Sequence, residues 1–116
     1  MDEAIRLSAE INALLSNIRN FLRYEDARGA EEQAHRLVRS CKELMSRFHR
    51  ASETEARIIV VAGAAARWGA DEIVELCYNV NDFDVEPMFP LMQEVLDILP
   101  QNFESQTLEH VWGVSE

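Results

Sequence analysis

At 116 residues and 13.3 kDa, with 47% hydrophobic residues and no apolar run of membrane-spanning length, the chain has the size and composition of one domain around one core, which argues against disorder. Its formal net charge of −10 opposes nucleic acid as a partner, because phosphates are repelled. The charge is also uneven: all eleven basic side chains lie at or before Arg67 and eleven of the twenty-one carboxylates lie after it, so residues 1–67 sum to about +1 and residues 68–116 to −11.

From Asp2 to about Tyr24, the apolar residues Ala4, Leu7, Ile11, Leu14, Leu15, Ile18, Phe21 and Leu22 recur at three- and four-residue steps, which predicts a helix with one buried stripe. Arg28-Gly29 reads as a break. A second stripe then runs through Ala30, Ala34, Leu37, Val38, Cys41, Leu44, Met45 and Phe48, and the two helices are expected to pack as an antiparallel hairpin.

The segment Arg57-Ile58-Ile59-Val60-Val61-Ala62-Gly63 has the β-branched content of a buried strand, but its flanks point to helix. Ser52 and Glu55 have capping-box spacing, and Ala62 to Ala66 is strongly helix-forming apart from Gly63. A helix from about Glu53 to Trp68 is predicted, apolar on most sides and therefore central. Gly69 reads as its end, with a short fourth helix from Ala70 to about Val80.

Asn81-Asp82-Phe83-Asp84 is turn chemistry. Pro87 and Pro90 suit the first turn of a fifth helix carrying Phe89, Met92, Val95, Leu96 and Leu99 to a stop at Pro100, and Asn102 can cap a sixth running to Trp112 before Gly113. The expected fold is all-α: a compact bundle of about five or six helices in a single domain over residues 1–116, opening with an antiparallel helical hairpin.

No catalytic motif stands out. Glu32 and His35 form an ExxH pair, but a di-metal bundle site needs a second such pair and two more inward carboxylates, which neither His49 nor His110 supplies. Asp82, Asp84 and Glu86 alternate as calcium ligands do, without the glycine and the twelfth-position glutamate of a calcium loop, and read as turn and cap acids. Cys41 and Cys77 lie on apolar stripes as reduced, inert thiols. No enzyme, cofactor or metal is therefore expected. The remaining lead is apolar side chains off the stripes or among acids: Ile5, Phe83, Met88, Trp112 and Val114 are the candidate partner-binding residues, with Trp68 and Tyr24 weaker ones.

The stretch Ala34-His35-Arg36-Leu37-Val38-Arg39-Ser40 resembles the phosphorylation helix of histidine phosphotransfer domains, which normally carry lysine and glycine where this chain has Val38 and Arg39. In size, helical content, acidity and absence of a motif, the whole chain resembles the small bacterial antiactivators of the QslA type. That resemblance implies a homodimer that docks on the ligand-binding domain of a LuxR-type, quorum-sensing transcription factor and prevents its dimerisation. The use of ten arginines to one lysine fits a GC-rich bacterial genome. The opening Asp2 and Glu3 are unlike a basic secretory leader, so the expected compartment is the cytoplasm. The expected role is an acidic regulator that masks a protein partner's surface, with direct contact to neither nucleic acid nor membrane. An immunity protein, a secretion chaperone for a basic partner and a histidine-phosphotransfer-like signalling protein are the alternatives. The Ile58–Ala66 run must be buried in a bundle or against a second copy, and a symmetric homodimer is expected.

Overall fold

The computed structural model describes residues 2–48, 50–80 and 84–99. These residues form four helices, α1 (Asp2–Arg23), α2 (Ala27–Phe48), α3 (Glu53–Tyr78) and α4 (Met88–Ile98), with no strand among them.

The first two helices follow the apolar stripes. Ala4, Leu7, Ile11, Leu14, Leu15, Ile18 and Leu22 are buried on α1, and Ala30, Ala34, Leu37, Val38, Cys41, Leu44 and Phe48 on α2. They run antiparallel: Asn17 donates to Gln33 (3.2 Å), the Ser40 hydroxyl to Glu10 (3.2 Å) and Arg47 to Glu3 (3.4 Å), so ascending positions on α1 meet descending ones on α2.

The break between them falls earlier than Arg28-Gly29. The Asp26 N–H reaches the Phe21 carbonyl (2.7 Å) and the Glu25 N–H that of Leu22 (3.1 Å), the paired bonds of a Schellman helix end. Asp26 then caps α2, its Oδ1 accepting the Gly29 N–H at 2.9 Å. Gly29 sits inside the first turn of α2 for a packing reason: a Cβ there would stand 2.8 Å from both Asp26 Oδ2 and Phe21 Cδ1. The left-handed position of the helix end is held by Glu25, at φ 61°. Only glycine adopts that conformation without a steric cost. Glu25→Gly is accordingly expected to stabilise the protein by about 0.5–1 kcal/mol, read as a higher urea midpoint at unchanged m.

Ser52 caps α3 at the position its spacing marked: the Glu55 N–H donates to Ser52 Oγ (3.3 Å), which itself donates to Glu55 Oε1 (3.3 Å). From there the chain departs from the expected five or six helices. The segments read as separate helices on either side of Gly69 are one 26-residue helix, α3. Glycine in a helix costs about 1 kcal/mol, which tertiary packing readily offsets. Here it does: Gly69 is buried, and a Cβ on it would lie 2.7 Å from Leu15 Cδ2, so the missing side chain is the room in which α1 leans on α3. The helix expected from Asn102 to Trp112 lies outside the described residues.

At the end of α3, Asn79 Nδ2 donates to the Glu75 carbonyl (3.1 Å). Asp84 Oδ1 accepts the Glu86 N–H (3.1 Å), the turn role expected of it, and Pro90 falls in the first turn of α4. The far end of α4 is closed by α3: Arg67 Nη1 donates to the Leu96 carbonyl (2.8 Å) and to that of Leu99.

In cross-section, α1 packs on α2 and α3, and α4 packs on the same two, while α1 and α4 do not touch. The α2–α3 pair therefore forms the short diagonal. Contacts of Arg47 with Glu55 near the start of α3 and of Arg19 with Glu72 near its end make α1 and α3 parallel, since Arg47 also meets Glu3. The turn between α1 and α2 thus lies at the same end of the bundle as the connection from α3 to α4. No helix among the described residues is long and apolar enough to cross a membrane.

Candidate protein-docking site

That shared end collects exposed aromatic groups and acids. Tyr24 closes α1 and Tyr78 is the last residue of α3; both are largely exposed, and the Tyr78 ring leans on Phe89 of α4 at 5.0 Å between centroids. Around them stand the exposed carboxylates of Glu25, Asp26, Glu75, Asp84 and Glu86. Between α1 and α3 an open cleft of about 340 Å³ is lined by Arg19, Arg23, Glu72, Glu75, Leu76 and Asn79. Arg19 organises its wall: the guanidinium bonds Glu72 at 2.8 Å and lies 6.0 Å from the centre of the Trp68 ring.

The charge asymmetry of the sequence is partly annulled in space. Parallel packing of α1 on α3 gives Glu72 to Arg19, and the contact of α2 with α4 gives Glu94 to Lys42 at 2.7 Å. At the aromatic end the exposed Glu25, Asp26, Glu75, Asp84 and Glu86 outnumber the exposed Arg23 and Arg28. The opposite end is a mixed ionic mesh, in which Arg6 bridges Glu3 (3.1 Å), Glu10 (3.1 Å) and Glu43 (3.7 Å), and Arg47 reaches Glu3 and Glu55. The hydrogen bond and the positive charge of Arg6 hold the Glu3 carboxyl below the usual carboxylate range. These are solvated pairs, each of little energetic weight. An open cleft of about 310 Å³ beside Arg47, Arg50 and Glu55 marks this end.

The structure does not assemble the expected contact residues into one patch. Ile5 is displayed, 51% exposed, near the start of α1. Met88 is not: only 1% exposed, it packs into the core in the first turn of α4, at the other end of the bundle. Its neighbours in sequence are acids and a proline, which made it look like a surface residue, but the apolar face of a short helix includes its first turn. Phe83, Trp112 and Val114 lie outside the described residues. Two exposed groups were missed, Val61 and Tyr78. Tyr78 was hidden by its place at the end of an apolar periodic run, Val61 by a stretch apolar on every side.

Neither histidine nor cysteine chemistry finds a constellation. His35 is exposed on α2 with Glu31 Oε1 3.7 Å from its Nε2, and no group of three metal-ligating side chains occurs among the described residues. Both cysteines are buried free thiols. Burial pushes the Cys41 thiol up to about 12 and raises that of Cys77.

The Cys41 shift has a measurable consequence. An acid whose pKa rises on folding supports stability below its unfolded value, and that support is lost as pH climbs toward the folded value. Unfolding free energy is expected to fall from about pH 9 upward, by about 1.4 kcal/mol per pH unit from this thiol. Guanidinium denaturation of the wild type and of Cys41→Ala between about pH 8 and 10.5 checks it. Parallel curves for the two proteins would sink the assignment.

No family model, no curated protein and no solved structure matches the chain.

Proposed function

We propose that this protein works by occupation. It presents an acidic helical surface in the cytoplasm to a basic or mixed-charge protein and masks a region that partner needs, as QslA-type antiactivators mask LuxR-type transcription factors. The observation that carries this reading is the acid-bordered aromatic end of the bundle, where Tyr24 and Tyr78 are exposed beside Glu25, Asp26, Glu75, Asp84 and Glu86. Tyrosine offers a large amphipathic contact area, and a surrounding excess of negative charge accelerates encounter with a basic partner. The overall charge of −10 supports the same partner class.

The test is direct. Full-length protein mixed with a ligand-loaded LuxR-type receptor is expected to form a heterocomplex on size exclusion at the expense of the receptor dimer. Its affinity is expected to fall about tenfold or more between roughly 50 and 500 mM salt, because the contact is led by charge. The triple replacement Glu75→Lys, Asp84→Lys, Glu86→Lys should slow association about tenfold or more without altering the far-ultraviolet circular dichroism. Absence of a complex defeats the receptor assignment. If a basic toxin or a secreted basic protein binds instead, with the same salt dependence, the immunity or chaperone form of the reading replaces it.

One alternative has an observation in its favour: His35 is exposed on a bundle helix, as a phosphoryl carrier must be. The neighbouring positions oppose it, since Val38 is buried and Arg39 stands where those domains keep a glycine.

A further inference from the structure

The chain from Ile58 to Ala66 has no charged or hydrogen-bonding side chain for nine residues, a composition found where a helix is surrounded. In the structure α3 is not surrounded. Its inner side meets α1, α2 and α4, and Gly69 and Arg67 mark the flanks that face α1 and α4. The remaining side is open: Val61 is 67% exposed and Trp68 is 68% exposed, with Ile58, Ala64 and Ala65 partly exposed beside them. Ile58, Val61, Ala65 and Trp68 follow the alternating three- and four-residue spacing of a helix–helix seam, not the scatter of ordinary surface hydrophobics.

We propose that this outer face of α3 is the two-fold interface of a homodimer, in which a second copy lays its own α3 antiparallel on the first. The face is complementary to itself in that orientation. Arg57, which bonds Glu53 of its own helix at 3.0 Å, flanks the seam toward the start of α3, and Asp71 flanks it toward the end, both exposed, while Glu72 beside it is held by Arg19. A two-fold axis near Ala64 and Ala65 sets each copy's Arg57 beside the other's Asp71. The same axis places each copy's Val61 against the other's Trp68, with Ile58 at the margin of that contact, and Ala65 against Ala64. The small alanines stand where the helices come closest, and the two helix dipoles oppose. In a parallel pairing the acids would face each other. A basic partner, by contrast, gains nothing from Arg57 and finds no carboxylate between Glu55 and Asp71.

The interface goes beyond the docking reading, and it is testable without any partner. Two chains of net charge −10 repel at long range, so added salt should strengthen self-association, opposite to its effect on a basic partner. Sedimentation velocity of the full chain at about 100 µM is expected to give twice the 13.3 kDa chain mass. Val61→Glu and Trp68→Glu should each weaken dimerisation about tenfold or more while the helical spectrum persists, since both sites are solvent-facing in the monomer. Arg57→Glu should weaken it and Arg57→Glu with Asp71→Arg should restore it. Ala65→Cys should cross-link to its own copy on oxidation, and Thr54→Cys should not. A monomer throughout, or a dimer indifferent to Val61→Glu and Trp68→Glu, overturns the interface. A monomer that still binds a basic partner with the stated salt dependence overturns it while leaving the proposed function standing.

Discussion

Arg67→Met should lower stability by about 2–3 kcal/mol and should loosen α4 selectively. Arg67 is the last basic residue of the chain, and it is spent inside the fold: its guanidinium, half-buried between α3 and α4, donates to the carbonyls of Leu96 and Leu99. Those carbonyls belong to the last turn of α4, where no intrahelical donor remains. A hydrogen bond with one ionised partner contributes about 1.5–3 kcal/mol, more than the solvated pairs elsewhere on this surface. Methionine keeps the apolar stem in contact with α4 and deletes only the donors. Denaturant midpoints should therefore drop at constant m, and amides of α4 should exchange faster than those of α1 and α2. Arg67→Lys, a single point donor in place of a planar fork, should recover about half of the loss. A change below about 0.5 kcal/mol would mean that water serves these carbonyls as well as Arg67 does.

The second large effect belongs to Gly69. Gly69→Val should cost about 1–3 kcal/mol, although valine is the better helix former. Its Cβ would stand 2.7 Å and 2.9 Å from the two methyl carbons of Leu15, and Leu15 is itself buried in the core. Gly69→Ala adds one methyl where helix propensity gains about 1 kcal/mol, so it should come out near neutral. Leu15→Ala alone should cost about 2–5 kcal/mol through the cavity it leaves. Combined with Gly69→Val, the cost should be smaller than the sum by about 1 kcal/mol or more, because the new side chain enters the space vacated. Strict additivity in that cycle would show that the two positions do not touch.

How far such features can be read from sequence depends on whether they are local. The stripes of α1 and α2 match the buried residues at all but three positions, Phe21 and Met45 being half-buried and Ser40 buried outside the stripe, because helical periodicity is a property of neighbours three and four apart. The Ser52 cap on the Glu55 N–H is local for the same reason, and it correctly outweighed the β-branched run that follows. Glycine was the weak point. At Gly29 and Gly69 its local meaning, a break, lost to a tertiary one, close approach by Phe21 and Leu15, and each misreading displaced a helix boundary. Met88 failed differently: flanking acids and a proline suggest display, and only the docking of α4 shows that its first turn is buried.

Helix class, the antiparallel opening pair, the cap of α3 and the surplus of negative charge were determined by the order of residues alone, since each rests on spacing within a turn or two or on a simple count. Tertiary structure decided everything that needs two distant segments to meet. The parallel alignment of α1 with α3 brings Arg19 to Glu72 and sets Tyr24 at the same end as Tyr78; the position of α4 consumes Arg67 and hides Met88. It also decided which side of an evenly apolar helix stays open, leaving Val61 and Trp68 in water. The physical reason is one of range: a helix's own hydrogen bonds fix where its faces lie, but only burial against other helices selects the face that is covered.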